Sequence, residues 1–194
     1  GEPIDGNLIK PEDFVYSPKD VRSTFLSLVT KTYPHGHEDE VLQFLPKLEK
    51  DTVGNYYKII GDPKQETMFT SHLDTADRAQ KITKLYSMIE KEEEYIVTDG
   101  NSILGSDDKS GVAVMLYMMA HNVPGLYYFF IGEEVGCIGS GLAAKFLEFK
   151  GIYDRIISFD RRGTTSIITH QSGTRTCSDE FGKELARQLN NHKI

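Results

Sequence analysis

Four short segments of the 194-residue sequence carry side chains able to do chemistry: His72-Leu73-Asp74, Gly105-Ser106-Asp107-Asp108-Lys109, Gly132-Glu133-Glu134-Val135-Gly136 and Ser158-Phe159-Asp160. Each falls where a strand-like stretch stops or a helical one starts, the positions where open α/β sheets build ligand sites. Residues two apart at a strand end point to the same side. The Asp74 carboxylate can therefore accept the proton on one ring nitrogen of His72 and leave the other free for a metal. A hydrogen-bonded structural histidine is the other reading. Asp107 and Asp108 either cap the helix that follows them or offer a carboxylate shared by two divalent ions. Two cations ~3.5–4 Å apart need such an anion between them. Glu133 and Glu134 follow the apolar run Leu126–Ile131, and acids ending so buried a stretch are costly unless paired or metal-bound. Neighbouring residues point in different directions, so one can ligate a metal while the other takes a proton from a bound water. A solvated acidic loop is the alternative. Asp160 ends the run Ile156–Phe159 in the same way, with a turn paired to Arg161 or Arg162 as its alternative. One histidine and several carboxylates, with no cysteine nearby, suit zinc, and also cobalt or manganese.

The elements that must position these residues follow from periodicity. Ser17-Pro18-Lys19-Asp20 predicts a helix start, and Val21, Phe25, Leu28 and Val29 carry it to about Lys31. Glu38 to Lys50 reads as a second helix, interrupted at Pro46. Asp51 to Ile60 reads as extended, Gly61 to Lys64 as a turn and Thr67 to His72 as a strand. Ala76 to Glu94 reads as a charged surface excursion, and Tyr95 to Thr98 as a short strand. Ser110 to His121 is apolar all round, as a buried helix is. Gly125 to Ile131 is a continuous apolar run, the pattern of a central strand covered on both faces. Ser140 to Phe149 predicts a helix, Arg155 to Phe159 and Ser166 to His170 strands, and Ser178 to Asn190 a last helix. Helices alternating with short buried strands predict an α/β fold, a three-layer α/β/α sandwich around a mostly parallel or mixed sheet.

Composition bounds the partners. Acids outnumber bases 29 to 22, a net charge of −7, which argues against a nucleic-acid partner. The longest apolar run, Val112 to Ala120, falls far short of the ~20 residues a membrane span needs. Cys137 and Cys177 are too few for a disulfide framework and read as free thiols. Gly1-Glu2-Pro3-Ile4-Asp5 lacks the basic start and apolar stretch of a secretory signal, so the expected location is cytoplasmic. Residues 1–194 read as a single catalytic domain.

His72-Leu73-Asp74-Thr75, Leu104 to Gly111, Glu133-Glu134-Val135-Gly136 and Phe159-Asp160 appear in an order that resembles the co-catalytic di-zinc exopeptidases. That superfamily includes peptidase T, carboxypeptidase G and the bacterial leucyl aminopeptidases. Gly54-Asn55 also resembles its Asp-x-x-Gly-Asn strand, and the matched motifs run from about residue 51 to 182. The resemblance implies two zinc ions and a peptide substrate. In it, His72 is a terminal ligand of one zinc, Asp74 orients it, and Asp107 bridges both ions. Glu133 is the general base, Glu134 a ligand of the second zinc, and Asp160 completes the first. The implied activity is metal-assisted amide hydrolysis, as an aminopeptidase or di-/tripeptidase. An N-acyl amino acid or peptide deacylase with the same centre, and a non-catalytic fragment with an incomplete site, are the alternatives. The family supplies a fifth ligand, a late histidine. Only His121, His170 and His192 follow the bridging acid here, none in that context. The expectation is a core without the family's lid domain, cut short of its last strand or strands, and able to self-associate through an uncovered sheet edge.

Overall fold

The computed structural model describes residues 5–62, 67–146, 153–160, 170–171, 174–175 and 178–188. Two compact units divide the chain after Asp160. The first runs β1 (Asn7–Ile9), α1 (Val21–Leu28), β2 (Glu49–Lys50), β3 (Tyr56–Ile60), β4 (Thr67–His72), β5 (Leu85–Glu90), β6 (Glu93–Thr98), α2 (Ser106–Ala120), β7 (Gly125–Phe130), α3 (Ile138–Phe146) and β8 (Arg155–Ser158). In the second, β9 (His170–Gln171) pairs antiparallel with β10 (Thr174–Arg175), and α4 (Asp179–Gln188) follows. The Ser178 hydroxyl caps α4 by accepting the Phe181 amide at 3.1 Å.

The main sheet is mixed, in the order β2-β3-β7-β4-β8. β4 runs parallel to both β7 and β8, with His72 opposite Phe130 and Thr70 opposite Ser158, while β3 runs antiparallel to β7. Alternation along β7 sends Tyr127 and Phe129 to one face, into a core with Leu28, Leu73, Val112, Met115 and Leu116. Leu126 and Tyr128 go to the other face, with Met68, Tyr57 and Tyr153. A strand buried on both faces needs the unbroken apolar run that the sequence shows. β1-β5-β6 form a separate three-stranded antiparallel sheet. Among the described residues β8 is the outer strand on its side, and its Ile156 is exposed.

Gly111 sets how closely α2 approaches the strand ends. A methyl group there would overlap the Asp108 carboxylate and the Phe159 carbonyl. Only a glycine lets the start of the helix sit against the end of β8.

Several boundaries differ from expectation for identifiable reasons. α1 begins at Val21, because Asp20 rather than Ser17 is the cap, accepting from the Arg22 amide at 3.0 Å and the Ser23 amide at 3.4 Å. It ends at Leu28 rather than Lys31, because Thr30 and Thr32 exchange backbone hydrogen bonds with Thr83 and Lys81 instead. The expected helix over Glu38–Lys50 is a 3-10 segment, Glu38–Phe44, followed by β2. Leu45, which precedes Pro46, is extended, as a residue before proline prefers. The expected surface excursion over Ala76–Glu94 contains β5 and the start of β6. Lys91 and Glu92 make the turn between them, both at positive φ, as a two-residue hairpin requires. Its one solvated face and acid-rich tip hid the alternation. α3 begins at Ile138, two residues ahead of Ser140. Residues 63–64, 147–149, 166–169 and 189–190 of the expected turn, helices and strand lie outside the described residues, as do Arg161, Arg162, Cys177 and His192.

Candidate metal centre

The carboxyl ends of three adjacent parallel strands converge on one place. His72 ends β4, Glu133 and Glu134 follow β7, and Asp160 follows β8. Asp107, at the first turn of α2, completes the group. His72 Nε2 lies 3.0 Å from Asp107 Oδ1, 3.7 Å from Glu133 Oε2 and 4.0 Å from Glu134 Oε1. Donor atoms of His72, Asp107 and Glu134 lie within 4.8 Å of one another, as do those of His72, Glu133 and Asp160, and those of Asp107, Asp108 and Asp160. The His72 side chain is only 4% exposed, whereas Asp107 is 66% exposed, so the cluster has a buried floor and an open rim.

Backbone hydrogen bonds fix this arrangement. The His72 amide donates to Asp108 Oδ2 at 3.1 Å. Asp74, fully buried, accepts the Glu133 amide on Oδ1 and the Glu134 amide on Oδ2, each at 2.9 Å. Its carboxylate is also 3.4 Å from His72 Nδ1, but the nearer partner of that ring nitrogen is the Asp74 carbonyl oxygen, at 3.0 Å. Asp74 thus orients the ring chiefly through its backbone, and its carboxylate holds the loop bearing the two glutamates. Asn55 fastens the same loop from behind: its Oδ1 accepts the Ile131 amide at 3.2 Å, and its Nδ2 donates to the Gly139 carbonyl at 3.0 Å. Asp51 Oδ1 in turn accepts the Asn55 amide, which accounts for the Asp-x-x-Gly-Asn pattern.

Electrostatics show how much negative charge meets here. Burial pushes the Asp108 carboxyl up to about 8, and Asp160 and Asp107 add to the rise, against the pull of His72. Burial also raises Glu134, helped by Asp107 and Glu133. Burial pulls the His72 imidazolium down, but the hydrogen bond to Asp74 and the charges of Asp108, Asp74 and Glu133 override it and lift the ring to about 9. Lys109, fully buried, is a cation that the chain itself supplies. Its ammonium donates to the Leu73 carbonyl and lies 5.1 Å from the centre of the Tyr33 ring. Burial lowers it to about 8 against the attraction of Asp74 and Asp108. An imidazole nitrogen with crowded carboxylate oxygens, and no thiolate among them, fits hard or borderline divalent ions. A cation there would offset both the burial and the added repulsion that raise Asp108 and Glu134.

All six residues singled out in the sequence lie at this centre, and Asp108 and Lys109 join them. Glu38, also in contact with the loop, carried no signal of its own in the sequence, because its partner stands 94 residues away. Contrary to the expectation of no cysteine nearby, Cys137 is a free, exposed thiol whose Sγ lies 3.7 Å from Glu133 Oε1. His121 lies at the far end of α2 from Asp107, its Nδ1 at 2.8 Å from the Tyr117 carbonyl oxygen. The side chains of His170 and Arg175 lie outside the described residues. No helix among the described residues is long and apolar enough to cross a membrane.

A mixed α/β sheet with a histidine and carboxylates at its parallel strand ends is the architecture of the co-catalytic zinc exopeptidases, and the chain resembles them in fold as well as in motif order. Its solved neighbours include a tripeptidase from Staphylococcus aureus, 25% identical with a TM-score of 0.55, covering 76% of this chain and 44% of that one. They also include the aminopeptidase PepT of Bacillus cereus, 25% identical with a TM-score of 0.57, covering 79% of this chain and 46% of that one. In sequence, the uncharacterized Bacillus subtilis protein YqjE is 33% identical over 141 residues, which is 60% of this chain and 37% of YqjE. The chain thus spans less than half the length of each of these relatives. No protein-family model matches it.

Proposed function

We propose that the chain hydrolyses peptide bonds with a water activated at this centre, as an aminopeptidase or a di- or tripeptidase. The observation that carries the reading is the convergence of His72, Asp107, Glu133, Glu134 and Asp160 at the ends of three parallel strands. The peptidase activity named for the two structural neighbours supports it. His72, Asp107 and Asp160 would hold one zinc ion, and Asp107 and Glu134 a second, with Asp107 shared. Bound zinc supplies a Lewis acid that lowers the pKa of a water and polarises the scissile carbonyl. Glu133 stands beside His72 on the half-open side of the cluster. It takes a proton from the attacking water as the carbon–oxygen bond forms. It then returns that proton to the amine nitrogen as the carbon–nitrogen bond breaks. Asp74 keeps both glutamates in place through their amides.

Glu133→Gln tests the reading. Turnover of aminoacyl amides is expected to fall ~10²–10⁴-fold while zinc stoichiometry is kept. Undiminished turnover removes Glu133 from the role of base. A panel of free-amine and N-acylated peptides distinguishes an aminopeptidase from a deacylase. One zinc ion or none per chain, with no hydrolysis of either kind, marks the chain as a non-catalytic relative.

A further inference from the structure

Three consecutive amides at the end of β7 each donate to a buried carboxylate. Glu133 and Glu134 use the two oxygens of Asp74. The Gly132 amide, immediately before them, donates instead to Glu38 Oε1 at 3.1 Å. Glu38 opens the short segment Glu38–Phe44, belongs to none of the motifs above, and is 5% exposed. Its other oxygen accepts the Gly36 amide at 2.7 Å, and His35 Nδ1 lies 2.6 Å from Oε1. The His35 ring also packs on Gly132: a methyl there would come within 3.1 Å of its Cε1 and Nδ1. Gly132 has φ +60, so the chain pivots there before the two glutamates.

A pivot without a Cβ is a soft joint in the loop. Asp74 grips the residues beyond the pivot but not the pivot itself. The charge-assisted bond from the Gly132 amide to Glu38 fixes the peptide plane from which Glu133 and Glu134 depart. We propose that Glu38, oriented by His35, is a positioning residue for the Glu133–Glu134 loop. It acts through the Gly132 peptide and touches no donor atom of the metal cluster. Its catalytic consequence rests on the proposed function, whereas its effect on the loop does not.

The test separates these two parts. Amide hydrogen exchange is followed by NMR in the full chain without added metal, comparing wild type, Glu38→Gln and, as a control in the same segment, Glu40→Gln. Glu38→Gln is expected to speed exchange at Gly132, Glu133 and Glu134 by roughly tenfold or more, leaving Tyr127 to Phe129 of β7 unchanged. Glu40→Gln leaves all of these rates as in wild type. Unchanged rates at the three amides overturn the proposal. So does acceleration spread equally along β7, because that reports loss of overall stability. If Glu38→Gln does not fold, His35→Ala is read in its place: faster exchange confined to Gly132 through Glu134 supports the proposal, and unaltered exchange overturns it. With zinc restored, Glu38→Gln is expected to lower kcat about tenfold with KM within about twofold, as a misplaced base does. Unaltered kcat at full zinc loading overturns the catalytic consequence. A wild-type protein that hydrolyses no peptide defeats the proposed function alone, and the exchange rates still decide the role of Glu38.

Discussion

The two sheets of the first unit are held together by different means. At the carboxyl ends of β4, β7 and β8, the geometry depends on hydrogen bonds between residues 36, 59, 60 and 94 positions apart, each from a backbone amide to a buried carboxylate. The β1-β5-β6 sheet relies on backbone pairing, on a tight turn and on Leu85 packed against Leu26 and Val29, and its outer surface carries the Arg22–Glu94 pair at 2.6 Å, half-exposed. Ile89 and Tyr95 of that hairpin face solvent. Buried acids with several amide partners are costly to disturb, whereas an exposed ion pair is nearly free to lose. Substitutions at the strand ends therefore damage the protein, while those on the hairpin's outer surface pass nearly unnoticed.

The largest effect is expected for Asp74→Ala, which leaves the Glu133 and Glu134 amides without their acceptor and removes the carboxylate beside His72. Unfolding in urea should show a loss of about 3–5 kcal/mol, with hydrolysis down about 10–100-fold. A loss below that of a surface substitution breaks the comparison. Next, chelation of a zinc-loaded sample should remove activity and lower the thermal midpoint, by about 2.7 kcal/mol of stability if zinc stood at a hundred times its dissociation constant. Zinc should restore both, and a midpoint indifferent to chelation counts against ion binding at this end. Gly111→Ala forces a methyl between Asp108 and the Phe159 carbonyl. The expected cost is about 1–3 kcal/mol, with weaker zinc retention in equilibrium dialysis. The smallest effect belongs to the other sheet. Arg22→Ala should shift the urea midpoint by the equivalent of about 1 kcal/mol or less and leave zinc content untouched. A larger shift shows the hairpin to be more tightly coupled to the rest than its exposed contacts imply.

What was legible in the sequence follows from the same contrast. His72, Asp107, Glu133, Glu134 and Asp160 stood out because each interrupts an apolar run or precedes a helix, where a charge needs a reason. The strand β7 is plain because both its faces are buried and its composition is therefore uniformly apolar. β5 was lost because a sheet with one wet face carries charges that resemble a loop, and its tip is almost wholly acidic. The helix expected over Glu38–Lys50 had the right apolar spacing, but Pro46 and the pairing of β2 with β3 broke it at Leu45. The carboxylate of Asp74 was legible as part of the site, yet its main partners are amides of a loop 59 and 60 residues on, which no local pattern announces. The same holds for Glu38.

The strand order has a consequence for synthesis. β4 sits between β7 and β8, and the Thr70 hydroxyl meets that of Ser158, 88 residues further along. On the ribosome, His72 therefore leaves the exit tunnel well before Asp160 is made, and the imidazole spends that interval among an incomplete set of acids. Parallel pairing across such a separation is slow to form. A divalent cation that met the chain in that interval would find fewer carboxylates beside His72 than the folded strand ends bring together.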